Sequence, residues 1–174
     1  MKNLGMLHLG RGLPQRSLKH HIEVKIEEFL KELRHLKYLW YLSLRGISTI
    51  FELPPTILQL KRLEVLDLKA CHTIETGIEK LPHLKVLTGF VIGNSRNTPC
   101  RISEIANLKN LERLSIHIGR EAVIQEGEFE SLKKLSKLEH LKISWGVFDK
   151  KYNEIQIILP SSLKNLHLEG FPEQ

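Results

Sequence analysis

A leucine stands at nearly every third position between residues 33 and 71, and this spacing constrains the fold more than any other feature of the chain. An amphipathic helix has apolar residues alternately three and four positions apart, and a half-buried strand has them two apart. Neither spacing matches. The pattern instead predicts a tight turn leading into a short strand, a unit that occurs twice here. Its residues are Leu33, Leu36, Leu39, Leu42 and Leu44, then Leu60, Leu63, Leu66, Leu68 and Cys71.

The same unit recurs along the whole chain. The leucines that open its strand-like L-x-L pairs, or stand in the equivalent position, are Leu7, Leu42, Leu66, Leu87, Leu114, Leu141 and Leu166. All but the first step between them fall within about 20–29 residues, the period of leucine-rich repeats. We therefore predict one domain over residues 1–174, of the α/β class. It is a leucine-rich-repeat solenoid with about seven parallel concave strands and irregular or short helical convex segments.

Three features depart from a regular array. The long first step contains an amphipathic pattern that ends at Leu33, which predicts a convex helix of about three turns. Gly89 stands where the fourth repeat should carry its second leucine, and turn-forming residues follow over 93–99, which predicts a loop. Neither end carries the polar capping repeat that solenoids normally need. We therefore expect a fragment of a longer array, uncapped at both ends.

Composition indicates the cellular compartment in which the protein is expected. Two cysteines cannot form a disulfide framework, and the chain has no N-x-S/T sequon. No apolar run approaches the roughly 18 residues of a membrane-spanning helix, and the N-terminus lacks the apolar region of a secretory signal. We expect a cytoplasmic protein without a transmembrane segment. The net charge of +6 is spread along the chain, so we expect no nucleic-acid partner.

Motifs for catalysis and for bound groups are missing from the sequence. It has no phosphate-binding G-x-x-x-x-G-K-[ST] loop, no G-x-G-x-x-G turn and no G-x-S-x-G elbow. Its nine histidines include no pair at the spacing of metal ligands. We therefore predict no enzymatic activity, no cofactor and no metal. Of the two thiols, Cys100 is expected to be the more reactive, because it lies in the irregular loop.

The candidates for binding are the residues between the regularly spaced leucines of each strand, which we call the ladder leucines. Side chains alternate across a strand, so these residues are expected to face solvent on the concave side. Interface anchors are typically aromatic residues or arginine, although a merely solvated strand face is the alternative for any single position. The predicted anchors are Tyr41, Arg45, Phe90 and Arg113. The predicted protein-binding set is Tyr41, Ser43, Arg45, Asp67, Lys69, Phe90, Arg113, His117, His140 and Lys142.

Several motifs occur in an order typical of one family. They are Y-L-S-L-R-G at 41–46, L-P-x-x-I at 53–57, L-D-L-x-x-C at 66–71 and L-x-G-F-V-I-G at 87–93. Over residues 33–145 the chain resembles the repeat region of plant nucleotide-binding leucine-rich-repeat disease-resistance proteins, the intracellular immune receptors. The coiled-coil branch of that family fits best.

The resemblance implies a recognition role with two kinds of protein partner. One is a pathogen effector, or a host protein that an effector modifies. The other is the nucleotide-binding domain of the same receptor, which the repeats help to hold inactive. An intracellular repeat scaffold without an immune role is the alternative that the sequence leaves open.

Overall fold

Seven parallel strands form one sheet, in the order in which they occur along the chain. The computed structural model describes residues 2–9, 28–45, 47, 53–72, 74, 76–92, 100–120, 122–146 and 155–170, with the backbone alone over 69–72. The strands are β1 (Met6–His8), β2 (Tyr41–Ser43), β3 (Val65–His72), β4 (Val86–Ile92), β5 (Arg113–Ile118), β6 (His140–Trp145) and β7 (Asn165–Glu169). The predicted α/β solenoid with about seven parallel strands is confirmed.

The seven leucines from Leu7 to Leu166 that open the L-x-L pairs or stand in the equivalent position, here called the marker leucines, define the register of the sheet. They form one row across all seven strands, because each is the Cα partner of the next. Leu42, Leu66 and Leu87 are fully buried in this row. In β5 and β6 every second side chain is buried and those between are more exposed, as expected for a strand with one face on a core.

The three-residue leucine period arises from tight turns that precede the strands. The N–H of Leu36 donates to the Leu33 carbonyl at 2.8 Å, and the N–H of Leu39 donates to the Leu36 carbonyl at 3.0 Å. Such i→i+3 bonds give about three residues per turn, so residues three apart lie on the same side of the chain. Each successive leucine therefore points into the same core.

Short helical segments line the convex side and pack against one another. They are the 3-10 turns Leu33–His35, Pro55–Gln59, Ile78–Lys80 and Phe129–Lys134 and the α-helix α1 (Ile102–Ile105). Residues 28–32 are also helical, and the rest of the helix predicted before Leu33 lies outside the described residues. Among the helices in the described ranges, none is long and apolar enough to span a membrane.

A buried ion pair joins two neighbouring convex segments. Arg101, which precedes α1, pairs with Glu128, which precedes the turn Phe129–Lys134, and their side chains are only 10% and 1% exposed. The Glu128 carboxylate also accepts the backbone N–H groups of Ile102 at 3.3 Å and Gln125 at 2.9 Å. Glu128 therefore links the start of α1 to the following repeat.

The last strand is less covered than the others. Leu166 and Leu168 hold ladder positions in β7 but are 42% and 40% exposed. The reason is topological, since β7 pairs only with β6 and, in the part of the chain that the structure describes, no strand lies beyond it.

Candidate protein-binding face

The outward side chains of the sheet, on the face opposite the convex turns, form three rows that we call the concave face. The first row changes character along the solenoid, from apolar in β1–β4 to polar in β5–β7. It comprises Met6, Tyr41, Val65, Val86, Arg113, His140 and Asn165. The second row is His8, Ser43, Asp67, Thr88, Ser115, Lys142 and His167, and the third is Val91, His117, Ser144 and Glu169.

Asp67 is the centre of a hydrogen-bond network across β2, β3 and β4. Its carboxylate accepts the hydroxyl of Ser43 at 3.1 Å and the hydroxyl of Thr88 at 2.6 Å. Nε of Arg45 lies 3.7 Å from the same carboxylate, although the Arg45 side chain remains 61% exposed. Asp67 thus ties three strands together and leaves most of the Arg45 guanidinium facing solvent.

A second set of polar contacts joins β6 and β7. Nζ of Lys142 lies 2.7 Å from the Glu169 carboxylate, and the amide of Asn165 is 3.0 Å from Nδ1 of His140. Among the described residues, by contrast, the exposed Arg113 side chain makes no hydrogen bond or ion pair, and only its backbone N–H is used, on the Lys85 carbonyl at 3.0 Å. Arg113 is therefore available for a partner.

His117 is held between neighbouring strands. Its Nδ1 lies 2.9 Å from the hydroxyl of Ser144, the residue beside it in register. Burial of the ring lowers the pKa of His117, and the negative charge of Glu169 offsets this in part. Because the imidazole is disfavoured in its charged form, His117 contributes less positive charge to this face than a fully exposed histidine.

Five of the predicted residues line one open groove of about 600 Å³. They are Arg45, Arg113, His117, His140 and Lys142. Tyr41 and Asp67 lie on the same face beside it. Lys69 is in β3, but its side chain is outside the described part of the chain.

Two predicted contact residues do not reach solvent. Phe90 is fully buried, so its predicted role as an outward anchor is wrong. The cause is a β-bulge at Gly89, where Thr88 and Gly89 together oppose Ser115 and Phe90 becomes the partner of Ile116. Ser43 is also fully buried, because its hydroxyl is used on Asp67.

The structure adds outward residues that the sequence prediction missed. After the bulge, Val91 rather than Phe90 joins the outward row beside His117. The signal was Gly89 itself, since glycine inside a strand often marks a bulge. Trp40 immediately precedes β2, where the alternation rule does not apply, and it is 41% exposed.

The described residues include one cysteine side chain, that of Cys100, and it is shielded from solvent. Cys100 is fully buried, and burial raises the pKa of its thiol well above the usual range. Cys100 is therefore poorly placed to react in the folded chain, because the thiolate is the reactive form. The side chain of Cys71 lies outside the described residues, so the predicted order of the two thiols stays a prediction. Within the described ranges, no cluster of three or more His, Cys, Asp or Glu side chains is arranged to hold a metal ion.

Comparison with known proteins agrees with this architecture. The family model described as a leucine-rich repeat region matches residues 2–173. The chain belongs to the leucine-rich repeat family. This leucine-rich-repeat chain is also 33% identical over 153 residues to disease resistance RPP13-like protein 4 of Arabidopsis thaliana. The alignment covers 83% of the chain but only 18% of that protein. The resemblance to the repeat region of plant disease-resistance receptors is confirmed.

A solved structure shows the same fold, and a second one is reported beside it. A leucine-rich-repeat protein of Leptospira interrogans superposes with a TM-score of 0.52 at 22% identity, over 79% of this leucine-rich-repeat chain and 33% of that chain. An internalin C2 of Listeria monocytogenes gives a TM-score of 0.49 at 16% identity, over 79% of this chain and 55% of the other. At these identities the likeness concerns the fold alone.

Proposed function

We propose that this chain is the non-catalytic recognition module of a plant intracellular immune receptor, located in the cytoplasm, and that it binds protein on its concave face. The similarity to a disease resistance protein is the observation that carries the proposal. The concave face supplies the surface, since it presents Arg113 and most of the Arg45 side chain to solvent around an open groove. Arginine is among the residues most enriched at interface hot spots.

Two partners fit this role. The first is a pathogen effector, or a host protein that an effector modifies, and the second is the nucleotide-binding domain of the same receptor. The polar half of the concave face favours a protein partner over an apolar ligand, because its hydrogen-bonding and charged groups are arranged over several strands. Such a surface is typical of interfaces that discriminate between partners by electrostatic complementarity.

The Ser144–His117 pair does not change this proposal. A serine hydroxyl near an imidazole is the start of a nucleophilic site, but catalysis also requires a third group that orients the histidine and donors for the developing oxyanion. The nearest carboxylate in this row, Glu169, is held by Lys142 at 2.7 Å. Among the described residues, none hydrogen-bonds the remaining nitrogen of His117. The contact between His117 and Ser144 therefore serves to join β5 and β6.

Co-purification from plant tissue tests the proposal. The chain carrying Arg45→Glu and Arg113→Glu is compared with one carrying Lys133→Glu and Lys134→Glu, two exposed lysines of a convex turn. Both variants change the net charge equally, so solubility effects are matched. We expect the concave variant alone to lose the effector, the guarded host protein or the nucleotide-binding domain, and to alter the immune response. Equal retention by both variants would contradict the proposal, and a partner without any effect on immunity would favour the scaffold alternative.

A further inference from the structure

The concave face carries a continuous apolar strip along the start of its first four strands. The strip consists of Met6, Trp40, Tyr41, Val65 and Val86. Met6 is 51% and Trp40 41% exposed, and the other three are half-buried. Exposed contiguous apolar side chains on a soluble protein mark interaction sites.

The members of the apolar strip touch or adjoin one another. Met6, Tyr41, Val65 and Val86 are successive partners in the register. The Trp40 ring meets the Tyr41 ring edge-on, with centroids 5.9 Å apart, and lies directly over Gly5. A Cβ at position 5 would come within 3.0 Å of the indole nitrogen, so Gly5 permits this close approach. Trp40 is therefore held in place at the edge of the strip.

The unpaired Arg113 side chain lies next to the apolar strip, on the strand after its last member. Arg113 is the register neighbour of Val86, and it is exposed. Two other described cations of this face are engaged, since Lys142 pairs with Glu169 and Arg45 lies near Asp67. In the described part of the chain, Arg113 has no such acid. A partner's carboxylate at this point would complete a charge-assisted hydrogen bond.

The distance between Tyr41 and Arg113 indicates the length of partner segment that would contact both. Two strands separate Tyr41 from Arg113 in the register, and strands lie about 4.8 Å apart, so the two positions are about 14 Å apart. An extended peptide rises about 3.3 Å per residue, so this distance corresponds to roughly four residues.

We propose that the concave face binds an extended acidic segment of a partner protein. One aromatic or aliphatic residue of the segment lies on the apolar strip, and an aspartate or glutamate about four residues away pairs with Arg113. The inference rests on the proposed function, since it specifies the partner chemistry for the same face. It follows from charge complementarity next to an apolar surface. One unpaired arginine matches a single carboxylate, whereas the successive phosphates of a nucleic acid would require several unpaired cations.

A selection of random 12-residue peptides displayed on yeast, using the whole 174-residue chain as bait, tests this inference. We expect the enriched peptides to share an acidic residue three to five positions from an apolar one, always in the same order. Affinity should fall about tenfold or more with Arg113→Gln, because a hydrogen bond between charged groups is lost. Tyr41→Ser should weaken the same peptides, and added salt should do so too. Lys133→Gln, on the convex side, is the matched control.

The outcomes separate the two proposals. Peptides that depend on Tyr41 but lack an acid, or ignore Arg113→Gln, would overturn the acidic-segment inference and leave concave binding intact. Peptides unaffected by every concave variant would overturn both proposals. A selection that enriches no peptide would overturn the inference, because a preformed groove of this kind should capture a matching segment, and the co-purification experiment would still decide the proposed function.

Discussion

At the scale of single residues, His117 shows how a position on the concave face acquires its properties. The ring is half-buried between β5 and β6, and its Nδ1 contacts Ser144 at 2.9 Å. Burial penalises the charged imidazolium and lowers the pKa of His117. The folded state therefore binds a proton at this site less readily than the unfolded chain does.

This shift predicts a dependence of stability on pH. A histidine with a lowered folded pKa contributes stability that is fully present above its unfolded pKa of about 6.5 and is lost as the pH falls below that value. We expect the free energy of unfolding in urea to drop less between pH 7.5 and pH 5.5 in His117→Asn than in the unmodified chain. His83→Asn, at an exposed histidine on a turn, is the control. An NMR titration that gives His117 a pKa above 6.5 would contradict this explanation.

At the scale of structural elements, the bulge in β4 decides which side chains reach the concave face. Gly89 has a φ of +77°, a left-handed conformation that favours glycine. The extra residue shifts the alternation of β4, so that Phe90 enters the core and Val91 faces outward.

Replacement of Gly89 tests the bulge. An L-residue in the left-handed region costs roughly 1–2 kcal/mol, so Gly89→Ala should lower the free energy of unfolding by about that amount. Gly89→Asn should cost less, because asparagine tolerates this conformation better. Equal stability of Gly89→Ala and the unmodified chain in urea denaturation would mean that the strand does not bulge here.

The buried Arg101–Glu128 ion pair is expected to stabilise the convex side of the solenoid. Glu128→Gln keeps one acceptor oxygen, whereas the carboxylate uses Oε1 for the N–H of Ile102 and Oε2 for the N–H of Gln125. One backbone donor therefore loses its acceptor, and the buried guanidinium loses its counter-charge. Removing one partner of a buried ion pair costs about 3–5 kcal/mol. We expect a loss near the lower figure, measured by urea denaturation. In the double variant Arg101→Met with Glu128→Gln the loss should be smaller, and an equal or larger loss would show that the charge is not the cause.

The repeated pattern of the sequence predicts the regular elements of the fold but not its local exceptions. The L-x-x-L period predicted the turns, and the marker leucines predicted the register across all seven strands, because both patterns repeat in every unit. Phe90 lies in the core instead of facing outward, whereas Ser43 holds its predicted row but is fully buried there. The Phe90 position depends on a backbone torsion at one glycine, and Ser43 is covered through a bond to Asp67 on the next strand. The alternation of side chains along a strand predicts neither the torsion at Gly89 nor the bond between Ser43 and Asp67. Trp40 lies just outside the strand to which that alternation applies.

For the whole molecule, burial of the ladder leucines varies with their place in the solenoid. Leu66, in the interior strand β3, is fully buried, whereas Leu168 in β7 is 40% exposed. Stacking of neighbouring repeats buries the core, so strands inside the array contribute more to stability than the last strand of the array.

Paired truncations test this gradient. Leu66→Ala should lower the free energy of unfolding by about 2–5 kcal/mol, because it removes fully buried methyl groups and leaves a cavity. Leu168→Ala should cost clearly less, since its side chain already contacts solvent. Urea denaturation of both variants provides the measurement, and similar losses would show that β7 is as well covered as β3.

The central claim is that the concave face is the surface that contacts protein. A photo-crosslinking amino acid placed at Val86, in the first outward row, tests it most directly when compared with the same amino acid at Lys133 on a convex turn. The chain is expressed in plant tissue, irradiated, and analysed for covalent protein adducts by mass spectrometry. We expect adducts from position 86 and none from position 133. Adducts from position 133 alone, or from neither position, would contradict it.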